Sequence, residues 1–155
     1  MEIQTLVKAF ENNIIKTFNY HSIFHDINGE KMQQPKIIKK ITPKEYFTSE
    51  RCYVAENYST ETVSIARATV KPGVTTKAHH LKNSVQEIYI ITSGKGKVQI
   101  GNLEPTEVSP GDVVVIPANT SQKISNIGKS DLVFYCVCTP RFTEECYIDE
   151  EPEEP

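Results

Sequence analysis

The stretch "KAHHLKNSVQEIYIITSGKGKVQIG" (residues 77–101) sets two adjacent histidines, His79 and His80, ahead of a glutamate, Glu87, that opens an aliphatic run. The run then ends in a glycine-studded turn. Side chains alternate across a strand, so His79 and Leu81 share one face and His80 takes the other. By the same rule Glu87, Tyr89 and Ile91 share a face, and so do Gln122, Ile124 and Asn126. A carboxylate on an inward strand face is costly unless it is paired, protonated or bound to a cation. Glu87 either stands at a solvent rim or has a function inside.

Outward from this stretch, short β-rich runs succeed one another from about residue 36: "CYVAE", "VSIARATV", "KVQIG", "DVVVIP", "QKISNI" and "LVFYCVCT". Proline, glycine, asparagine or serine bounds each, at the spacing of an all-β sandwich or barrel. "SGKG" (93–96) and "SPGD" (109–112) read as hairpin-type turns. Upstream, Leu6, Phe10, Ile14 and Phe18 recur at four-residue spacing and predict one amphipathic helix over roughly residues 3–18. "HDINGEK" reads as a turn around Asn28-Gly29. The acidic, proline-broken tail "DEEPEEP" is expected to be disordered. The organisation expected is a helical extension over 1–35, a β-barrel domain over 36–148 and a tail over 149–155.

A chain of 155 residues fits one domain, and 38% apolar with 24% charged residues is an ordinary globular balance. The net charge of -3 argues against a nucleic-acid partner, since phosphate binding needs clustered Lys and Arg. The one basic cluster, "KIIKK" (36–40), is broken by isoleucines. No apolar run reaches the roughly 20 residues of a membrane span, and "MEIQTLVKAFENNIIKTF" lacks the order of a secretory signal. Cys52, Cys136, Cys138 and Cys146 show no zinc-type pairing, and two of them sit in the strand-like "DLVFYCVCTP". They are expected to be reduced core thiols in a cytoplasmic protein.

Two spaced motifs resemble those of the cupin superfamily. The family's first pattern, G-x5-H-x-H-x3-4-E-x6-G, is matched by Gly73, His79, Leu81 in place of the second histidine, Glu87 after five residues, one more than the pattern has, and Gly94. The second, G-x5-P-x-G-x2-H-x3-N, is matched by Gly111, Pro117, Asn119 in place of glycine, Gln122 in place of histidine, and Asn126. "ERCYVAE" (50–56), "VSIARATVKPGVTT" (63–76) and "DLVFYCVCTPRFTEECY" (131–147) further resemble a branch of small, single-domain type 2 (conserved-barrel) cupins without an assigned activity. The resemblance implies an all-β double-stranded β-helix (jelly roll), preceded here by the helix, and a homodimer. It also implies an inward face carrying His79, Leu81, Glu87 and Gln122 around a barrel cavity.

In metal-dependent relatives the motif positions hold Fe, Mn, Ni, Zn or Cu. On this chain the resemblance carries that role to His79, Glu87 and Gln122. Leucine cannot ligate, and a glutamine amide is a weaker donor than imidazole. A divalent metal (Fe, Mn, Ni or Zn) is therefore one open expectation and a metal-free pocket the other. His80 would serve as a ligand only if the extra residue before Glu87 forms a bulge that re-aims it.

Arg67 and Arg141 are candidate anchors for an anionic ligand or else surface charges. Leu81 and Ile124, on the inward faces, are candidate ligand contacts. Tyr89 is either a hydrogen-bond donor to ligand or a packed aromatic. His21 and His25, in "HSIFH", read as a surface pair. Asp112 and Asn126 read as structural, because Asx side chains bond local backbone in turns. Three functions follow as expectations: a small-molecule-binding barrel; an isomerase, epimerase or cyclase of a sugar or polar metabolite with Glu87 as base and Tyr89 or His79 as acid; or a metal-dependent dioxygenase-type enzyme.

Overall fold

The computed structural model describes residues 35–39 and 44–151. The chain divides into Met1–Ile37 and Ile38–Pro155, and nearly all described residues belong to the second unit. The helix expected over 3–18, the turn at Asn28-Gly29 and the His21/His25 pair lie outside the described residues.

Eleven strands follow in the described residues: β1 Tyr46–Phe47, β2 Tyr53–Ser59, β3 Ser64–Val70, β4 His79–Leu81, β5 Gln86–Ser93, β6 Gly96–Ile100, β7 Thr106–Val108, β8 Val113–Ile116, β9 Gln122–Asn126, β10 Leu132–Thr139 and β11 Tyr147–Asp149. They form an antiparallel six-stranded sheet, β1-β2-β3-β10-β5-β8, and a five-stranded sheet, β11-β4-β9-β6-β7. From β5 onward the chain passes back and forth between the sheets, which is the winding of a double-stranded β-helix.

The turns at 93–96 and 109–112 therefore do not close hairpins as expected; each carries the chain from one sheet to the other. Gly94 has φ 85°, and a Cβ there would meet the Asp131 carbonyl at 2.5 Å. Only glycine permits both the left-handed backbone and that approach. In the second turn the Asp112 carboxylate accepts from the Ser109 backbone N–H at 2.7 Å. Asn126 ties β9 down by donating to the carbonyls of Val70 and Ser130, both at 2.8 Å. Both residues thus have the structural role read from their side chains.

Inward residues alternate along the strands and fill the space between the sheets. Val70, Ile91, Ile116, Ile124, Leu132 and Phe134 form the centre of the main core, and Leu81, Val85, Cys138 and Cys146 form a second cluster with Tyr147 packed on it. All four cysteines are free thiols. No helix in the described residues is long and apolar enough to cross a membrane.

The ordered chain continues past the expected boundary at 148. Strand β11 pairs with β4, the Ala78 N–H donates to Glu151 Oε1 at 2.8 Å, and Arg51 meets Glu151 at 3.0 Å. Asp149, Glu150 and Glu151 thus find donors in Lys77, Ser121 and the Ala78 N–H, so the first residues of the acidic segment lie along the edge of the smaller sheet.

Candidate functional site

Strands β4 and β9 pair at His79 and Gln122, which sets those two side chains next to each other on the smaller sheet. Glu87 is the second residue of β5 on the larger sheet, opposite Cys138 of β10. Gln122 bridges the sheets: its Nε2 donates to Glu87 Oε2 at 2.8 Å. All three are buried, so the structure brings together the residues singled out as His79, Glu87 and Gln122.

His79 approaches the Lys77 carbonyl through Nδ1 at 3.0 Å. A carbonyl only accepts, so Nδ1 carries the proton and Nε2 is the free nitrogen of the neutral ring. Nε2 faces Glu50 Oε2 at 4.0 Å, and the ring stacks on Tyr147 with centroids 4.8 Å apart. His80 points the other way, to Glu150 at 2.6 Å. The extra residue before Glu87 is taken up in a tight turn at Asn83 and Ser84, both with positive φ, so no bulge re-aims His80. Asn119 stands at φ 59° where the family pattern has glycine, a conformation asparagine tolerates better than most side chains.

A cavity of about 460 Å³ opens inside the larger sheet. Its polar wall carries Glu50, Glu87, Ser64 and Thr76, and its apolar wall Val54, Ala66, Ala68, Tyr89, Phe134 and Phe142. Burial pushes the Glu87 carboxyl above the usual range, opposed first by the nearby His79 and then by the Gln122 hydrogen bond. Glu50 is likewise pushed up by burial, again opposed by His79. The Cys52 thiol is pushed up to about 12, chiefly by burial, and burial also raises Cys136 and Tyr89 well above their ordinary values. The result is a low-dielectric chamber with two carboxyl groups and one imidazole within electrostatic reach of one another.

The other candidate residues sit elsewhere. Alternation along β3 points Ser64, Ala66 and Ala68 into the cavity, so Arg67 lies on the outer face and pairs with Glu45 at 2.5 Å. Arg141 is exposed and does not line the cavity, although its neighbour Phe142 does. Neither arginine is positioned to anchor a ligand there. Ile124 is sealed in the main core and Leu81 in the second cluster, both behind the cavity wall. Tyr89 does line the cavity, with its ring tilted against Phe134 at 4.6 Å. Glu50 was not singled out from the sequence. Its signal, the segment "ERCYVAE", looked like a family likeness at a polar turn, and only the fold brings it to His79.

These donors do not fit a tightly held transition metal. One imidazole is available, and Gln122 presents its NH₂ to Glu87, which occupies a carboxylate oxygen with a donor that cannot ligate. No group of three or more His, Cys, Asp or Glu side chains in the described residues is arranged to hold a metal ion.

Two antiparallel sheets wound as a double-stranded β-helix, with a partly acidic cavity, define a jelly-roll barrel. The cupin domain family matches residues 66–138, and an uncharacterized protein of Methanocaldococcus jannaschii is 36% identical over 119 residues, covering 71% of this chain and 92% of that protein. The chain belongs to the cupin superfamily. Solved structures with the same fold include KdgF from a Halomonas species, at 15% identity and TM-score 0.63 over 72% of this chain and 99% of that one. A Tyr-to-Phe variant of Streptomyces Pac13, a nucleoside dehydratase, solved with uridine, matches at 14% identity and TM-score 0.61 over 76% and 91%. A predicted oxalate decarboxylase of Thermotoga maritima matches at 25% identity and TM-score 0.58 over 69% and 99%.

Proposed function

We propose that the protein binds a small molecule in the barrel cavity, with Glu87 and Glu50 at its polar end and the aromatic wall against its apolar body. The observation that carries this reading is the cavity itself. At about 460 Å³ it lies within the usual size of ligand sites, roughly 300–1,000 Å³, and it holds a buried carboxyl group, Glu87, that a purely structural interior would not retain without cost, beside the half-buried Glu50. A thermal-shift screen of small metabolites tests it. Compounds that stabilise the wild type are expected to lose their effect in Ala66→Phe, whose added ring occupies the chamber. Stabilisation that survives this substitution would place the site elsewhere.

A second reading, an isomerase, epimerase or cyclase working by proton transfer, is favoured by one contact. Glu50 Oε2 lies 4.0 Å from His79 Nε2, and both groups are coupled to Glu87. A carboxyl and an imidazole within reach of one another are the ordinary makings of an acid–base pair. In this reading Glu87 is the base, His79 shuttles the proton, and Tyr89, pushed well above its ordinary ionisation by burial, serves only as a neutral hydrogen-bond donor. Glu87→Gln is expected to abolish turnover while leaving the fold intact; unchanged turnover would end this reading. The dioxygenase alternative needs a ligand set that the described donors do not make. A homodimer and a cytoplasmic setting, implied by the resemblance and by the free thiols, remain part of the proposal.

A further inference from the structure

The cavity is charged on one side only. Four glutamates, Glu50, Glu56, Glu87 and Glu144, contribute to its lining, and the described lining residues include no lysine, arginine or histidine. Among cations adjacent in the chain to lining residues, Lys77 pairs with Asp149 at 2.8 Å, Arg51 with Glu151 at 3.0 Å and Arg67 with Glu45 on the outer face, while Arg141, beside Phe142, is exposed and outside the lining. His79 stands outside the lining and already faces Glu50 at 4.0 Å. An anion entering this chamber would shed its hydration and meet no counter-charge.

Six aromatic side chains share the remaining wall with small apolar and hydroxyl residues. Tyr46 and Phe47 are exposed where they contribute to the lining, and Tyr89, Phe134, Phe142 and Tyr147 continue the apolar surface. Ring faces beside carboxylates are the surroundings in which an organic ammonium is held, by the ring quadrupole and the carboxylate together. Gln122 does not line the cavity; its Nε2 donates to Glu87 Oε2 at 2.8 Å, which fixes the carboxyl at the polar end.

We propose that the cavity selects a small protonated amine with an apolar body, its ammonium group directed to Glu87 and Glu50. This rests on the reading of the cavity as a small-molecule site and names the class of molecule that site takes. The raised ionisation of both carboxyl groups agrees with it, since an entering cation would offset the cost of their buried charge.

The test uses three probes of nearly equal shape: phenethylamine, protonated at pH 7.5, neutral 2-phenylethanol, and phenylacetate. Binding to the full chain is followed by chemical-shift titration. Phenethylamine is expected to bind at least tenfold more tightly than the alcohol, with phenylacetate the weakest of the three. The preference for amine over alcohol should fall several-fold in Glu87→Gln and in Glu50→Gln, each checked for an intact fold by circular dichroism. Phenylacetate binding as tightly as the amine would overturn the proposal, and so would amine and alcohol binding alike. Failure of all three probes would also overturn it, and if the metabolite screen still yields ligands lost in Ala66→Phe, the broader reading stands without the amine. If neither the probes nor the screen yields a ligand, both fail.

Discussion

Gln122→Leu tests the bond that organises the polar end of the cavity. The Gln122 amide donates to Glu87 Oε2 at 2.8 Å from a fully buried position. A hydrogen bond to a neutral acceptor contributes about 0.5–1.5 kcal/mol, and one to an ionised group about 1.5–3 kcal/mol. Leucine keeps a similar volume and also removes the unpartnered Oε1, a gain that partly offsets the loss. That gain does not depend on pH, whereas the value of the bond does. Burial raises the folded ionisation of Glu87 above its unfolded value of 4.5. Stability from this group is therefore fully present below that value and is lost as pH rises through the folded one. Removing the donor moves the folded value further up and deepens the loss on the alkaline side. By the difference between the two kinds of bond, Gln122→Leu should be destabilised by about 1–1.5 kcal/mol more at pH 8.5 than at pH 5. Urea denaturation at both pH values, with unchanged slope, measures it. Equal destabilisation at the two pH values would refute the claim that this bond supports a buried, ionisable Glu87.

Three further outcomes follow. Ile124→Ala, at a side chain with no exposed surface, should cost about 2–5 kcal/mol through lost burial and an unfilled cavity, read from denaturant midpoints. Arg67→Ala removes a partly exposed ion pair on the outer face and should cost no more than about 1 kcal/mol; in a titration it should leave ligand binding in the cavity unchanged. Elemental analysis of untagged protein purified without chelator should find Fe, Mn, Ni and Zn well below one per chain and unaffected by Glu87→Ala, and near-stoichiometric metal lost in that variant would reverse the judgement on the donor set.

The barrel was legible because strand alternation and turn residues are local signals. Period grouped His79 with Leu81 and Glu87 with Tyr89 on shared faces, and the family resemblance supplied which face points inward. The second motif keeps its spacing where residues changed, as at Asn119, which adopts the left-handed backbone, while the first carries one extra residue before Glu87. What was not legible depends on which strands become neighbours. Arg67 and Ala66 are adjacent in sequence, and alternation says that they part company without saying which one faces the cavity. Small inward residues on β3 leave room for a chamber, a fact visible only once β10 and β5 are set beside it. Glu50 precedes a strand in a polar turn, and nothing local distinguishes it from a surface charge. The acidic tail misled in the same way, because its partners lie some 70 residues upstream, as for Ala78 and Glu151 (73 residues apart). The turns at 93–96 and 109–112 have hairpin composition, yet sheet exchange uses the same residues.

The account stands most directly on where a ligand goes. Backbone chemical shifts of the full chain, recorded while titrating the tightest compound from the metabolite screen, locate that site. The prediction is a cluster of perturbed residues on the cavity wall, including Glu50, Glu87, Tyr89 and Cys136. Perturbations gathered instead in the outer groove by Leu103, Val113 and Val115 would contradict it.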